Sequence, residues 1–377
     1  MTASKLRAAA TALLLGTAAV TMTAMAAQAA TVSPRVGAAL KEAQALATAG
    51  NYKAAQAKIN EADAVPGKTA DDTAIINQFK NFIAVKSGDT STAAGAKAKF
   101  ANDYNAGKWR DVIASADTLR KFNALGMQEQ LIIAQAYYKA GDYAGCARYV
   151  KANLNNTSDT ALELLARCAY ESGDEVTQRQ SLETLVARSG KPEQWKLLLR
   201  LAERSRGLSD HNSLDVNRLR MMTGNITTKD EYTLLAQLAL QLGNAAEAQA
   251  IVEKGMAAKV LNDDRSTRLL NLAKTQAAAN AAGLQKNIAA AQASPQGDAL
   301  VKVGEDLVSQ GKAKEGLPLI QAGVKKPMKD AANGQIRLGH AMLASGDKAG
   351  AQKVFNAVKT PEKDAMIAHL WYLAARK

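Results

Sequence analysis

The chain has 377 residues, only 7 of them Pro and 5% aromatic, with 47% hydrophobic residues and a formal charge of +13. So apolar a chain can bury a core, which excludes low-complexity disorder. Abundant Ala and scarce Pro point away from a β-sandwich, a Rossmann domain or a disulfide-dense module, and toward an almost wholly helical protein.

Residues 1–29 read as a signal peptide. Lys5 and Arg7 form a positive n-region, Ala8 to Val20 an apolar h-region, and Ala27-Gln28-Ala29 a small-residue cleavage site before Ala30. The apolar run is shorter than the ~20 residues needed to span a bilayer. No Cys follows the cleavage region to carry a lipid. The expectation is a periplasmic or secreted protein with no transmembrane segment in the mature chain. Losing Lys5 and Arg7 brings the charge from +13 to +11.

From residue 34 onward, apolar helical runs end in turn-like glycines. They stand at Gly107, Gly141, Gly173, Gly207, Gly243, Gly311 and Gly346, at spacings of 34, 32, 34, 36, 68 and 35. The double step of 68 hides one turn, for which Gly283 is the nearest candidate. Toward the N-terminus the ladder slips: Gly50 and Gly88 are 38 apart, and Gly88 lies only 19 before Gly107.

Around each turn the same residue types recur. The first unit has Ala43, Gly50-Asn51-Tyr52, Ala55, Ile59 and Ala62. Later units show Ile133-Ala134 with Gly141 and Cys146, Leu235-Ala236 with Gly243 and Ala248, and Val303-Gly304 with Gly311 and Gly316. The clearest, Arg337 to Val358, has Leu338-Gly339, Gly346, Ala351 and Phe355. Small residues on both helices of a pair let them cross closely, and the later large residue fills the space against the next pair.

On these residues, and at a period near 34, the chain resembles the tetratricopeptide repeat (TPR) family. The resemblance implies an all-α, right-handed superhelical solenoid of antiparallel helix pairs over residues 30–360. The family's Trp near the start of its first helix is absent in most units. A last amphipathic helix over 361–377, with Met366, Leu370, Trp371 and Leu373, reads as the cap of the stack. Thr228-Lys229-Asp230-Glu231 has capping-box spacing ahead of Leu234, Leu235 and Leu238.

Catalytic chemistry has little to work with. The only histidines are His211, His340 and His369, each isolated, and no HExxH, CxxC, G-x-S-x-G, P-loop or G-x-G-x-x-G motif occurs. Glu171 with Asp174, and Asp263 with Asp264, fall at helix ends, where acids stabilise N-termini. The sequence reads as non-enzymatic, with no cofactor and no metal. Cys146 and Cys168 are the only cysteines; an oxidising compartment invites a disulfide, and two small buried helix residues are the alternative.

A solenoid presents its first helices to a concave face. The residues expected there are Leu131, Gln135 and Tyr138 in one repeat, and Glu163, Arg167 and Tyr170 in the next. Tyr137, Tyr143 and Tyr149 read instead as filling between helices. Eleven aromatics lie between Phe79 and Tyr170, which places the expected protein- or peptide-binding region at residues 79–210. The Lys/Asn clamp that some intracellular relatives use for a C-terminal carboxylate is absent. A scaffold for protein segments in envelope assembly or secretion is the leading reading. The alternative is a binder of anionic glycan or lipid (lipopolysaccharide, acidic polysaccharide, peptidoglycan) through basic faces at Lys196, Arg200, Arg204 and Arg206, and at Lys312, Lys314, Lys325, Lys326 and Lys329. No nucleic acid is expected after export.

Overall fold

A glycine-ended helix needs a left-handed residue at its turn, a conformation in which a Cβ is strained. All nine ladder glycines, from Gly50 to Gly346, have φ between 70° and 91°. Gly283 is the exception and corrects the expected turn. It lies inside an unbroken helix, because the Ala-rich sequence around it favours helix and one interior Gly costs only about 1 kcal/mol.

The computed structural model, which describes residues 32–154 and 158–376, has nineteen helices and no strand among the described residues, and the ladder glycines end nine of those helices. The signal-peptide reading of residues 1–29 lies outside the described residues. The chain divides into two compact units, one ending at Gln178 and the other beginning at Arg179.

The first unit holds α1 (Pro34–Thr48), α2 (Tyr52–Asp63), α3 (Ala70–Ser87), α4 (Ala93–Asn105), α5 (Trp109–Lys121), α6 (Met127–Lys139), α7 (Tyr143–Asn153) and α8 (Asp159–Ser172). Each packs on the next. The slip of the ladder has a cause: α3 is a single helix inserted between the pairs α1/α2 and α4/α5. Buried Asp72, near its start, accepts the backbone N–H of Thr69 at 2.9 Å and of Ser33 at 2.8 Å. Those two backbone donors hold its carboxyl below the usual range and tie the start of α1 to α3.

Helix α9 (Glu175–Arg188) spans the boundary. The second unit continues with α10 (Pro192–Glu203), α11 (Asp210–Met222), α12 (Lys229–Gln241), α13 (Ala245–Ala257), α14 (Asp264–Ala293), α15 (Asp298–Ser309), α16 (Ala313–Gly323), α17 (Ala331–Ala344), α18 (Lys348–Ala357) and α19 (Glu362–Ala375). The capping box at Thr228 forms as its spacing predicts. Close crossings are also where the small residues lie: a Cβ on Gly304 would come within 2.7 Å of the Gly316 carbonyl oxygen, so α15 and α16 meet backbone to backbone.

Helix α14 is 30 residues long and takes the place of two helices. Fusing a pair into one helix shifts the alternation of the chain by one element. Beyond their sequence neighbours, α13 packs on α15, α15 on α17, and α17 on α19. Helix α19 packs in turn on α11, where the Asn212 amide donates to Asp364 at 2.8 Å. The odd-numbered layer of this unit therefore returns to its own beginning.

Candidate functional site

Two places in the fold gather polar chemistry, one in each unit. In the first unit, α6 and α8 touch, and each offers the face that the helical spacing selects. Tyr138 is the hub. Its hydroxyl donates to Glu171 Oε1 at 3.4 Å, the Arg167 guanidinium lies 5.8 Å from its ring centre, and the Tyr143 ring lies 5.3 Å away. Burial, and then the Glu171 carboxylate, push its phenol up. Tyr170 is 50% exposed.

Of the six expected residues, the structure thus brings Tyr138 and Arg167 together, with Tyr170 exposed on α8. Leu131 is half-buried against the core, and Gln135 and Glu163 are half-buried outside the cluster. Glu171 lies at the end of α8, where the sequence predicts only a helix-end acid, and Tyr143 lies at the start of α7, where it predicts filling. Both prove to contact the hub. Tyr137 and Tyr149 do fill the space between helices, with ring centres 5.5 Å apart.

Cys146 on α7 and Cys168 on α8 are joined in a disulfide, their Cα atoms 6.0 Å apart. Both are fully buried, so the bond ties the site's second helix to the core. Asp174 and Asp263 cap α9 and α14, accepting from the backbone N–H of Thr177 and Ser266 at 3.0 Å each. Both carboxyls are held low, Asp174 by its bonds from Thr177 and Asp263 by Lys229 and then Ser266. These acids serve helix ends.

The second unit holds what the sequence reading did not find. Arg218 on α11 makes a bidentate pair with Glu247 on α13, at 2.7 and 2.6 Å. The same guanidinium reaches Asp215 Oδ1 at 3.0 Å and Glu305 Oε1, on α15, at 3.0 Å. Arg337 on α17 is 1% exposed and bridges Glu305, at 2.9 Å, to Asp215. The five side chains close the odd-numbered layer with a buried ionic network.

Burial works to raise the Glu305 carboxyl, but Arg337, Arg218 and Lys302 together outweigh it and hold the group well below its usual range. His340 packs against Trp371 with ring centres 4.0 Å apart, and its Nδ1 lies 3.9 Å from Asp215. Burial first, then the Arg337 and Arg218 guanidiniums, hold it well below 6.5, and so neutral. This is packing chemistry. A cavity begins beside Arg218 and Glu247.

The network leaves a signal in the numbering. Asp215 and Arg218 stand nine and six residues before Gly224, a left-handed turn that the ladder does not include. Lys302 and Glu305 have the same offsets from Gly311, and Arg337 and His340 from Gly346. Charged residues at one repeated inner offset mark a shared layer.

Of the basic runs, Lys326 is committed to structure, donating to the carbonyls of Gln292 and Ser294 at 2.8 and 2.7 Å. Lys312, Lys314 and Lys325 are exposed, as are Lys196 and Arg200. Among the described residues no group of three or more His, Cys, Asp and Glu is placed to hold a metal ion. No helix of the described residues is long and apolar enough to cross a membrane.

No known protein family and no curated protein matches the sequence. Among solved structures, that of Naa15/Naa10 bound to HypK-THB shares 11% identity over 88% of this chain and 54% of that one, with a TM-score of 0.29. The APC/C hetero-tetramer Cut9–Hcn1 shares 9% over 89% and 75%, with a TM-score of 0.23. The TPR domain of P58(IPK) shares 13% over 90% and 98%, with a TM-score of 0.22. This chain spans about half the length of the Naa15/Naa10 chain it matches. The TPR-like character of the fold rests on the chain's own helix pairs: their length, their left-handed glycine turns and their small-residue crossings.

Proposed function

We propose that this protein is an exported, non-enzymatic scaffold that binds protein segments, in envelope assembly or secretion, on the α6–α8 face of its first unit. The observation that carries the reading is the cluster of Tyr138, Tyr143, Arg167 and Glu171 beside exposed Tyr170. Tyrosine and arginine are the residues that most often anchor a protein interface, since each brings apolar area with a polar tip. In the second unit the corresponding interior is filled by mutually neutralising charges, so its inner layer offers a partner little to bind.

The test is site-specific photocrosslinking from position 170 in native envelope, with mass spectrometry of the captured species. Capture that is lost in Tyr138→Ala and Arg167→Ala, and that survives 0.5 M salt (roughly a 4 Å screening length), supports the reading. Capture indifferent to both substitutions would sink it. Binding that collapses with salt, and that instead follows Lys312 and Lys314, would support the anionic-polymer alternative.

A further inference from the structure

Where α13 faces α11, the packing leaves a cavity of about 290 Å³. Its walls are Met221 and Met222 of α11, Leu235 of α12, and Ala250 and Ile251 of α13; Ser309 of α15 also lines it. Glu247, Ala250, Ile251 and Lys254 stand at i, i+3, i+4 and i+7 on α13, so they form one stripe along the helix. At one end of that stripe Glu247 is saturated by Arg218. At the other, Lys254 is exposed, with no carboxylate in salt-bridge range among the described residues. The cavity is therefore apolar along its length, neutral at one end and cationic at the other.

We infer that this cavity binds the anion of a medium-chain fatty acid, its alkyl chain along the Met and Ile walls and its carboxylate on Lys254. The span of the stripe gives the chain length, and the volume bounds it. Seven residues of helix at a rise of ~1.5 Å separate the two ends by about 10 Å, the length of an extended chain of eight to ten carbons. A dry apolar cavity of ~150 Å³ holds one six-carbon ring, so 290 Å³ in this open cavity sets an upper bound of about twelve carbons. Methionine suits such a wall because its flexible thioether fits an irregular chain, and Met222 is 54% exposed, which leaves the site open to entry. The site lies wholly in the second unit, so its failure would leave the reading of the α6–α8 face untouched.

The experiment is isothermal titration of the full chain with decanoate, 1-decanol and decyltrimethylammonium, each below its micellar concentration. Decanoate should bind with one-to-one stoichiometry and about fivefold more tightly than decanol, the worth of one exposed charge pair. Ala250→Trp, which fills the cavity from an exposed position, should abolish binding, with far-UV circular dichroism confirming the fold. Lys254→Glu should reverse the preference in favour of decyltrimethylammonium. Affinity should rise from hexanoate to decanoate and gain little beyond it. Equal binding of decanol and decanoate, binding indifferent to Ala250→Trp, or a preference of the unaltered protein for the cationic amphiphile would each overturn the assignment.

Discussion

Replacing Arg337 by Met tests whether the ionic network, and not the surrounding apolar packing, holds the second unit closed. Met retains most of the unbranched stem and removes only the charged head. Arg337 is 1% exposed and contacts Glu305 at 2.9 Å and Asp215 on a different helix. At an effective dielectric near 20, a unit pair about 3 Å apart attracts by roughly 5 kcal/mol, and dehydrating the guanidinium cancels much of that. Breaking a buried pair costs about 3–5 kcal/mol, chiefly because the abandoned charge stays buried. Asp215 and Glu305 keep Arg218 as a second partner, so the lower figure applies, about 3 kcal/mol. In urea, with a slope of about 2 kcal/mol per M, the midpoint of the second unit should fall by about 1.5 M. With Trp109 of the first unit replaced by Phe in both proteins, tryptophan fluorescence from Trp195 and Trp371 reads that transition directly. A fall under about 0.5 M would refute the reasoning. The companion variant carries Arg337→Met, Asp215→Val and Glu305→Met together and leaves Arg218 paired with Glu247 alone. It should recover most of the loss, since a whole buried network exchanged for apolar groups is close to neutral.

Acid should weaken the same unit through its buried histidines. His340 and His211 are both held below 6.5, each first by burial and then by Arg337. Below pH 6.5 the unfolded chain takes up protons that the native chain refuses, so stability falls with pH, by up to about 1.4 kcal/mol per unit for each histidine. His340→Gln should roughly halve the slope measured between pH 6.5 and 5; an unchanged slope would refute the assignment. Removing the disulfide with Cys146→Ala and Cys168→Ala should cost about 3 kcal/mol, from the loop entropy of the 22-residue separation. The thermal midpoint of the pair variant should then match that of the reduced wild type. Tyr149→Phe should leave stability unchanged or raise it by about 1 kcal/mol, because the buried hydroxyl finds no hydrogen-bond partner among the described residues. Burial pushes that phenol up to about 12, so an alkaline absorbance titration of the variant should lose the last tyrosine to ionise.

Local features were legible in the sequence because they are local. A left-handed turn needs glycine, and a close crossing needs a small residue on each helix, so Gly141, Gly346 and the pair Gly304/Gly316 could be placed from spacing alone. The hub at Tyr138 was half legible: helical periodicity selects Tyr138 and Arg167, but Glu171 joins them only because α8 approaches α6 at one particular height. The ionic network was hidden for a different reason. Arg337 and Asp215 are 122 residues apart, and they meet only because α14 runs on where the ladder expects a turn. Counted in pairs, α11 and α13 follow their ladder turns, while α15 and α17 precede theirs; one uninterrupted helix puts all four in the same layer. The offsets nine and six before a glycine bring Asp215 and Arg218 into line with Glu305 and Arg337 only when Gly224 is counted as a turn of equal rank. A ladder read at its strongest period passes over such half-steps, and in this chain the charges that close the second unit lie on one.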